Sequence, residues 1–335
     1  MINHAERAGE SGGDSTRPPR RVKLVDVVRW VLIVLVLAAT AWQIVVNWQQ
    51  VVDTVTQMQW HRVALAFVAL LFGIASSTAS WSVLVDELGN RVGPERSAEV
   101  FLVGALGKYL PGSVWAYVLQ LELGHRSGIA RARVFTATVF NLAVILVAAL
   151  VAGGAALPAL MHSQPELSWL PWLYLVLPPA LVMLHPRILT AITNVGFRLL
   201  KRPLPDHPVR LRAVGASLGF AILTYAFYGA HLWLLADTRQ GLSLDPLLLC
   251  IGTMAIAMIG GLMAFLLPSG IGAREFIIVA ALGPMIGVGA ATAYAAVSRL
   301  MFVLVDLVAA GAASLVAWIA RRKEGEYRGD PGIVP

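Results

Sequence analysis

Charge and cysteine are both scarce in this chain, and each scarcity removes a class of protein. Of 335 residues only 13% are charged against 58% hydrophobic, with a mean hydropathy of +0.72, so too little polar surface exists for a domain dissolved in water. The single cysteine, Cys250, lies in an apolar stretch, which excludes an intramolecular disulfide and any thiolate cluster with zinc spacing. Seven histidines are scattered without an HExxH pair, and we expect no metal and no cofactor. A GxxxxGK[ST] loop is missing, so ATP hydrolysis by this chain is not expected. Ten-residue segments of alternating hydrophobicity are missing too, which excludes a membrane barrel.

What the chain does have is apolar runs of about 20 residues, the length a helix needs to cross a bilayer. The expected fold is all-α: a polytopic membrane helix bundle with six full spans and two inverted broken or re-entrant segments. The spans are placed at residues 27–46, 63–85, 134–157, 169–184, 213–236 and 291–320, and the broken segments at 98–124 and 246–289. Ala39-Thr40-Ala41 offers a cleavage site in the first run, but the run continues past it to spanning length, which favours an uncleaved helix. Residues 1–24 read as a disordered cytoplasmic tail, 25–320 as the transmembrane domain, and 321–335 as a second cytoplasmic tail.

The net charge of +7 reflects orientation in the membrane rather than nucleic-acid binding. If both broken segments return to the side they enter from, 21 of the 26 lysines and arginines fall on one side. Only Arg62 and Arg239 fall on the other, while Lys108, Arg274 and Arg299 lie at membrane depth. The positive-inside rule then sets both termini in the cytoplasm of a multi-pass cell-membrane protein. The connector "KRPLPDHPVR" (201–210) carries part of this bias, and orientation alone explains its charge better than lipid binding does.

The first broken segment contains "GKYLPGSVW", interrupted at Pro111-Gly112; the second contains "PSGIGARE", residues 268–275. Proline inside a helix costs about 3 kcal/mol and frees a carbonyl, which at membrane depth must be buried in protein or face a watery cavity. Gly112 permits a turn and Ser113 can cap the helix that restarts. Ser269, Gly270 and Gly272 give the second break its freedom, with Arg274 and Glu275 in the first turn after it. Two breaks entering from opposite sides would aim positive helix N-termini at a shared anion, with Lys108 and Arg274 beside it. Tyr109, Trp115 and Tyr117 are candidates to line a head-group pocket, although packing is the commoner use of aromatic residues at helical spacing. Arg299 and Asp306, seven apart on the last span, share a helical face and are expected to pair inside the bundle, with each other or with Glu275 and Lys108. Asn141, Glu122, Tyr225, Tyr228 and His231 are weaker polar candidates.

The pairing of "GKYLPGSVW" with "LPSGIGAREFIIV" resembles the signatures of the lysylphosphatidylglycerol synthase transmembrane, or flippase-like, family, whose second motif reads P-x-G-[IL]-G-x-R-E. Pro268, Gly270, Ile271, Gly272, Arg274 and Glu275 match it, and Ser269 stands where glycine is common. The resemblance covers about residues 63–320 and implies a non-enzymatic membrane domain that moves an anionic or aminoacylated phospholipid, or a lipid-linked precursor, between leaflets. Its implied partners are membrane phospholipids or polyprenyl-phosphate-linked lipids, and a lipid synthase, with no nucleic acid. The aminoacyl-transferase domain of two-function members has no counterpart among these residues. Two other readings compete: a membrane glycosyltransferase or lipid-modifying enzyme, and a non-transporting membrane partner of a lipid synthase. The enzyme reading is disfavoured because Asp53, Glu166, Asp237 and Asp245 on the expected outer face lack paired-acid spacing.

Overall fold

The structure is a computed structural model and describes residues 45–46, 48–110, 114–158, 161, 170–199, 209–236, 244–264 and 270–329. The expected first span lies almost wholly outside these residues, as do Pro111, Gly112, Ser113, Pro268 and Ser269.

All regular structure among the described residues is helical. In chain order the helices are α1 (Trp48–Gln57), α2 (Trp60–Glu87), α3 (Pro94–Ala105), α4 (Val114–Arg126), α5 (Arg131–Gly154), α6 (Leu170–Leu173), α7 (Leu177–Met183), α8 (Pro186–Leu199), α9 (Leu211–Leu235), α10 (Leu244–Met263), α11 (Ala273–Ile286) and α12 (Val288–Gly329). Five of these, α2, α5, α9, α10 and α12 as far as Arg322, are long and apolar enough to cross a membrane. The expected span at 169–184 is not one straight helix. Pro171, Pro178 and Pro179 interrupt it, and just beyond it, before Pro186, residues 174–183 meet 186–195 at 76°.

Small residues set the helix spacing, as they do where lipid tails offer no hydrophobic drive for association. A Cβ on Gly229 of α9 would overlap the backbone of Ile251 on α10, and one on Gly73 of α2 would meet the Tyr228 ring on α9 at 2.6 Å. Ser80 donates to the Ser217 carbonyl at 2.9 Å, tying α2 to α9 where no water is available to satisfy either group. Two buried apolar clusters result. One surrounds Trp81, Phe140 and Val134, the other Leu70, Met254 and Ile278, and Tyr228 and Met258 pack against both.

Both broken segments fold back as hairpins. Gly104 of α3 faces Gln120 of α4 and Gly107 faces Ala116, so these arms run antiparallel. The first arm continues from α3 through a 3₁₀ turn, Leu106–Tyr109, and the second is the 13 residues of α4. The second hairpin is asymmetric: α10 has 20 residues and α11 has 14, with Gly260 against Ile277 and Gly261 against Gly270. The break at 268–275 divides the segment 246–289 unequally, and α10 runs uninterrupted as far as Met263 before the glycine-rich turn.

One end of the bundle gathers arginine-bearing segments. Arg210 pairs with Glu87 at 3.5 Å, Arg321 with Glu99 at 2.6 Å, and Arg133 donates to the Val85 and Asn90 carbonyls. Arg126 and Arg131 both donate to Glu122, holding its carboxyl below the usual carboxylate range. The hairpin α3–α4 begins and ends here. The opposite end holds the α1–α2 turn, the end of α9 and the α11–α12 turn around a cavity of about 770 Å³ lined by Gln57, Arg62, Leu235 and Gly287.

Candidate functional site

A second cavity, about 300 Å³, lies where residues flanking the two breaks meet the middle of α12. Lys108 and Tyr109 reach it from the 3₁₀ turn Leu106–Tyr109 that ends the first arm of hairpin α3–α4. Gly270 and Arg274 reach it from the second break, Arg299 and Asp306 from α12. Residues as far apart in the chain as Tyr109 and Asp306, 197 positions, therefore converge on one space.

Each charged group has a definite partner. Lys108 Nζ lies 2.6 Å from Asp306 Oδ2, and the Tyr109 hydroxyl donates to the same oxygen. Arg299 Nη1 lies 3.1 Å from Glu275 Oε1, whose other oxygen accepts the Gly272 amide at 2.6 Å. Of the pairings open to Arg299 and Asp306, the fold selects the two between elements rather than the one along α12. Both carboxylates are thereby committed to cations.

Arg274 is held differently. Its guanidinium lies 3.9 Å from the centre of the Phe302 ring and donates from Nη2 to Ser298 Oγ at 2.9 Å. Tyr228's carbonyl can only accept, so His231 Nδ1 donates to it at 2.6 Å, and Nε2 accepts from Ser298 at 2.9 Å. Arg274, Ser298, His231 and the Tyr228 carbonyl are thus joined in one continuous hydrogen-bonded chain. Arg274 is only 6% exposed, and its Nε has no hydrogen-bond partner among the described residues. Three cations and two carboxylates leave the group with one net positive charge, and the uncompensated part rests on this guanidinium.

Gly270 and Gly272 have φ values of +62° and +87°, which L side chains rarely adopt, and a Cβ on Gly270 would overlap the Gly261 backbone. That close approach draws Arg274 to α10. At α11 the N-cap amide, that of Gly272, is taken by Glu275. Trp115 is about half exposed and is not among the residues lining the cavity, because α4 turns it outward and Tyr117 inward. Gly272 and Glu275 act behind the lining, through Arg299. Pro111, Gly112, Ser113 and Ser269, the remaining expected binders, lie outside the described residues.

Sequence reading missed Ser298 and Phe302. A signal existed, since 298, 302 and 306 follow at i, i+4 and i+8 on one face of α12, but an apolar helix offers many such faces. Gln120 and Thr138 were missed as well, being isolated polar residues in separate helices. Trp81 Nε1 donates to Thr138 Oγ1 at 3.1 Å, and Thr138 donates to Gln120 Oε1 at 3.3 Å. Asn141, a weaker candidate, lines the same cavity while donating to Ser80 at 2.9 Å.

Comparison with curated proteins returns no match. A protein-family comparison matches residues 27–320 to the family described as "Lysylphosphatidylglycerol synthase TM region". Membrane proteins of this kind are related to lipid modification or translocation. With most of its length matched and the all-helical bundle already described, the chain belongs to the lysylphosphatidylglycerol synthase transmembrane family.

Proposed function

We propose that this protein carries a phosphate-bearing lipid from one leaflet to the other, with no chemistry performed on the lipid. The observation that carries this reading is the cavity between the hairpin tips with its net positive charge and the buried, partly unpartnered Arg274. An arginine at membrane depth costs at least about 2.5–3.5 kcal/mol on insertion scales and needs a compensating partner. A lipid phosphate supplies one, by charge-assisted hydrogen bonds to the planar guanidinium. Lys108 and Arg299, each already neutralised by a carboxylate, are held near the phosphate and add field without adding net charge.

In this reading α3–α4 re-enters from the cytoplasmic side and α10–α11 from the opposite side, so each tip borders one half of the path. The head group passes between the tips while the acyl chains stay in lipid. The basic end, with Arg210, Arg133 and Arg321, is assigned to the cytoplasm. Membrane phospholipids, or polyprenyl-phosphate-linked lipids, are the substrates this requires.

The test is a reconstitution. Purified protein in vesicles carrying an acyl-labelled phosphatidylglycerol should expose inner-leaflet label to a membrane-impermeant quencher faster than protein-free vesicles do. Arg274→Ala should lower that rate at least about tenfold, the loss expected for one charged contact. Equal rates for the two proteins would remove Arg274 from the path, and release of a modified lipid would make the protein an enzyme.

A further inference from the structure

The cavity offers hydrogen-bonding capacity that its own protein does not use. Trp81 Nε1 can only donate, so Thr138 Oγ1 accepts from it and must give its own proton to Gln120 Oε1. This fixes the Gln120 amide with its oxygen engaged and its nitrogen, carrying two protons, without a partner among the described residues. Asn141 is ordered the opposite way: its nitrogen donates to Ser80 Oγ, leaving its carbonyl oxygen as an acceptor. The Tyr228 hydroxyl has no hydrogen bond among the described residues. Gln120, Asn141 and Tyr228 all line the one cavity.

We infer that this cavity selects a phosphodiester head group ending in neutral hydroxyls, a phosphoglycerol or phospho-sugar, over one ending in an ammonium. This rests on the lipid-translocation reading above. A hydroxyl both donates and accepts, so it can meet Gln120 nitrogen and Asn141 oxygen at once, and polar groups buried at depth without partners are costly. An ammonium would enter a space with one net positive charge whose two carboxylates are already bound to Lys108 and Arg299. Neutralising it would require breaking one of those pairs. The volume of about 300 Å³ lies at the lower end for small-ligand pockets and suits a head group without acyl chains.

The experiment separates head-group choice from transport. The detergent-solubilised full chain is titrated with dihexanoyl lipids bearing phosphate alone, phosphoglycerol, phosphoinositol, lysyl-phosphoglycerol or phosphocholine, and affinity is read from thermal stabilisation. Phosphoglycerol or phosphoinositol should bind about tenfold more tightly than phosphate alone, and lysyl-phosphoglycerol and phosphocholine more weakly than either. Which hydroxylated lipid is tighter separates the glycerol source from the sugar-like one. Gln120→Leu and Tyr228→Phe should each reduce the ratio of phosphoglycerol to phosphate affinity, and loss of all binding in one variant leaves the other to measure the ratio. Equal affinity across the panel, or a preference for lysyl-phosphoglycerol or phosphocholine, overturns the inference. Selective binding without vesicle transport would retain this inference and remove the translocation reading; unselective binding with transport would do the reverse.

Discussion

Arg274 and Lys108 are both cations at membrane depth, yet their surroundings assign them different work. Arg274 is stacked on Phe302 and bonded to a neutral serine, so its charge is available to a ligand. Arg274→Lys should therefore fail as Arg274→Ala does, because an ammonium lacks the planar fork that stacks and bonds together. Quencher accessibility in vesicles checks this, and wild-type rates for the lysine variant would refute the stacking argument. Lys108 is instead committed to Asp306, whose side chain is 7% exposed. Removing either partner strands a charge, so Lys108→Ala and Asp306→Ala should each destabilise the fold, while the double variant is milder than their sum. Thermal denaturation in detergent should give a coupling of about 1–3 kcal/mol, and strict additivity would mean that the pair is not formed. The residue types were readable in the sequence as intramembrane charges. Which cation met which carboxylate was not, since 108 and 306 are joined only by folding.

At the scale of elements, the hairpins depend on glycine in two different ways. Gly270 is required by its φ of +62° and by its approach to Gly261, so Gly270→Ala adds about 1–2 kcal/mol of backbone strain before the overlap is counted. Gly215, near the start of α9, faces open space, and Gly215→Ala should be tolerated. Comparing the yield and melting temperature of the two variants tests this; similar behaviour would mean the second break does not pack against α10. The break itself was legible, because Pro268 and two glycines interrupt an apolar run. Its unequal arms follow from where Pro268 falls in the run 246–289; the approach of Gly270 to Gly261 was not legible, because those two positions meet only when the arms fold back.

For the whole molecule, the separation of arginine-rich segments from the opposite cavity makes sidedness testable. In a Cys250→Ala background, which removes the sole cysteine, Ala130→Cys and Gln57→Cys sit at opposite ends of the bundle. A membrane-impermeant maleimide added to intact cells should label Gln57→Cys only, with Ala130→Cys reacting after the membrane is permeabilised. Labelling of both from outside would contradict the two-ended bundle, and reversed labelling would invert its orientation. The 21-to-2 division of lysines and arginines predicts the first outcome.

Composition and order of residues by themselves determined that this chain is helical and membrane-embedded, where its polar interruptions fall, and which family it belongs to. Those properties follow from local physics: apolar run length, proline and glycine, and charge along the chain. The tertiary structure alone decided that residues flanking the interruptions share one cavity, that Asp306 takes Lys108 and Glu275 takes Arg299, and that Arg274 Nε is left without a partner among the described residues. Those are long-range choices. They are made when helices pack at glycine contacts and each buried polar group must find its partner in whatever neighbour the packing brings near.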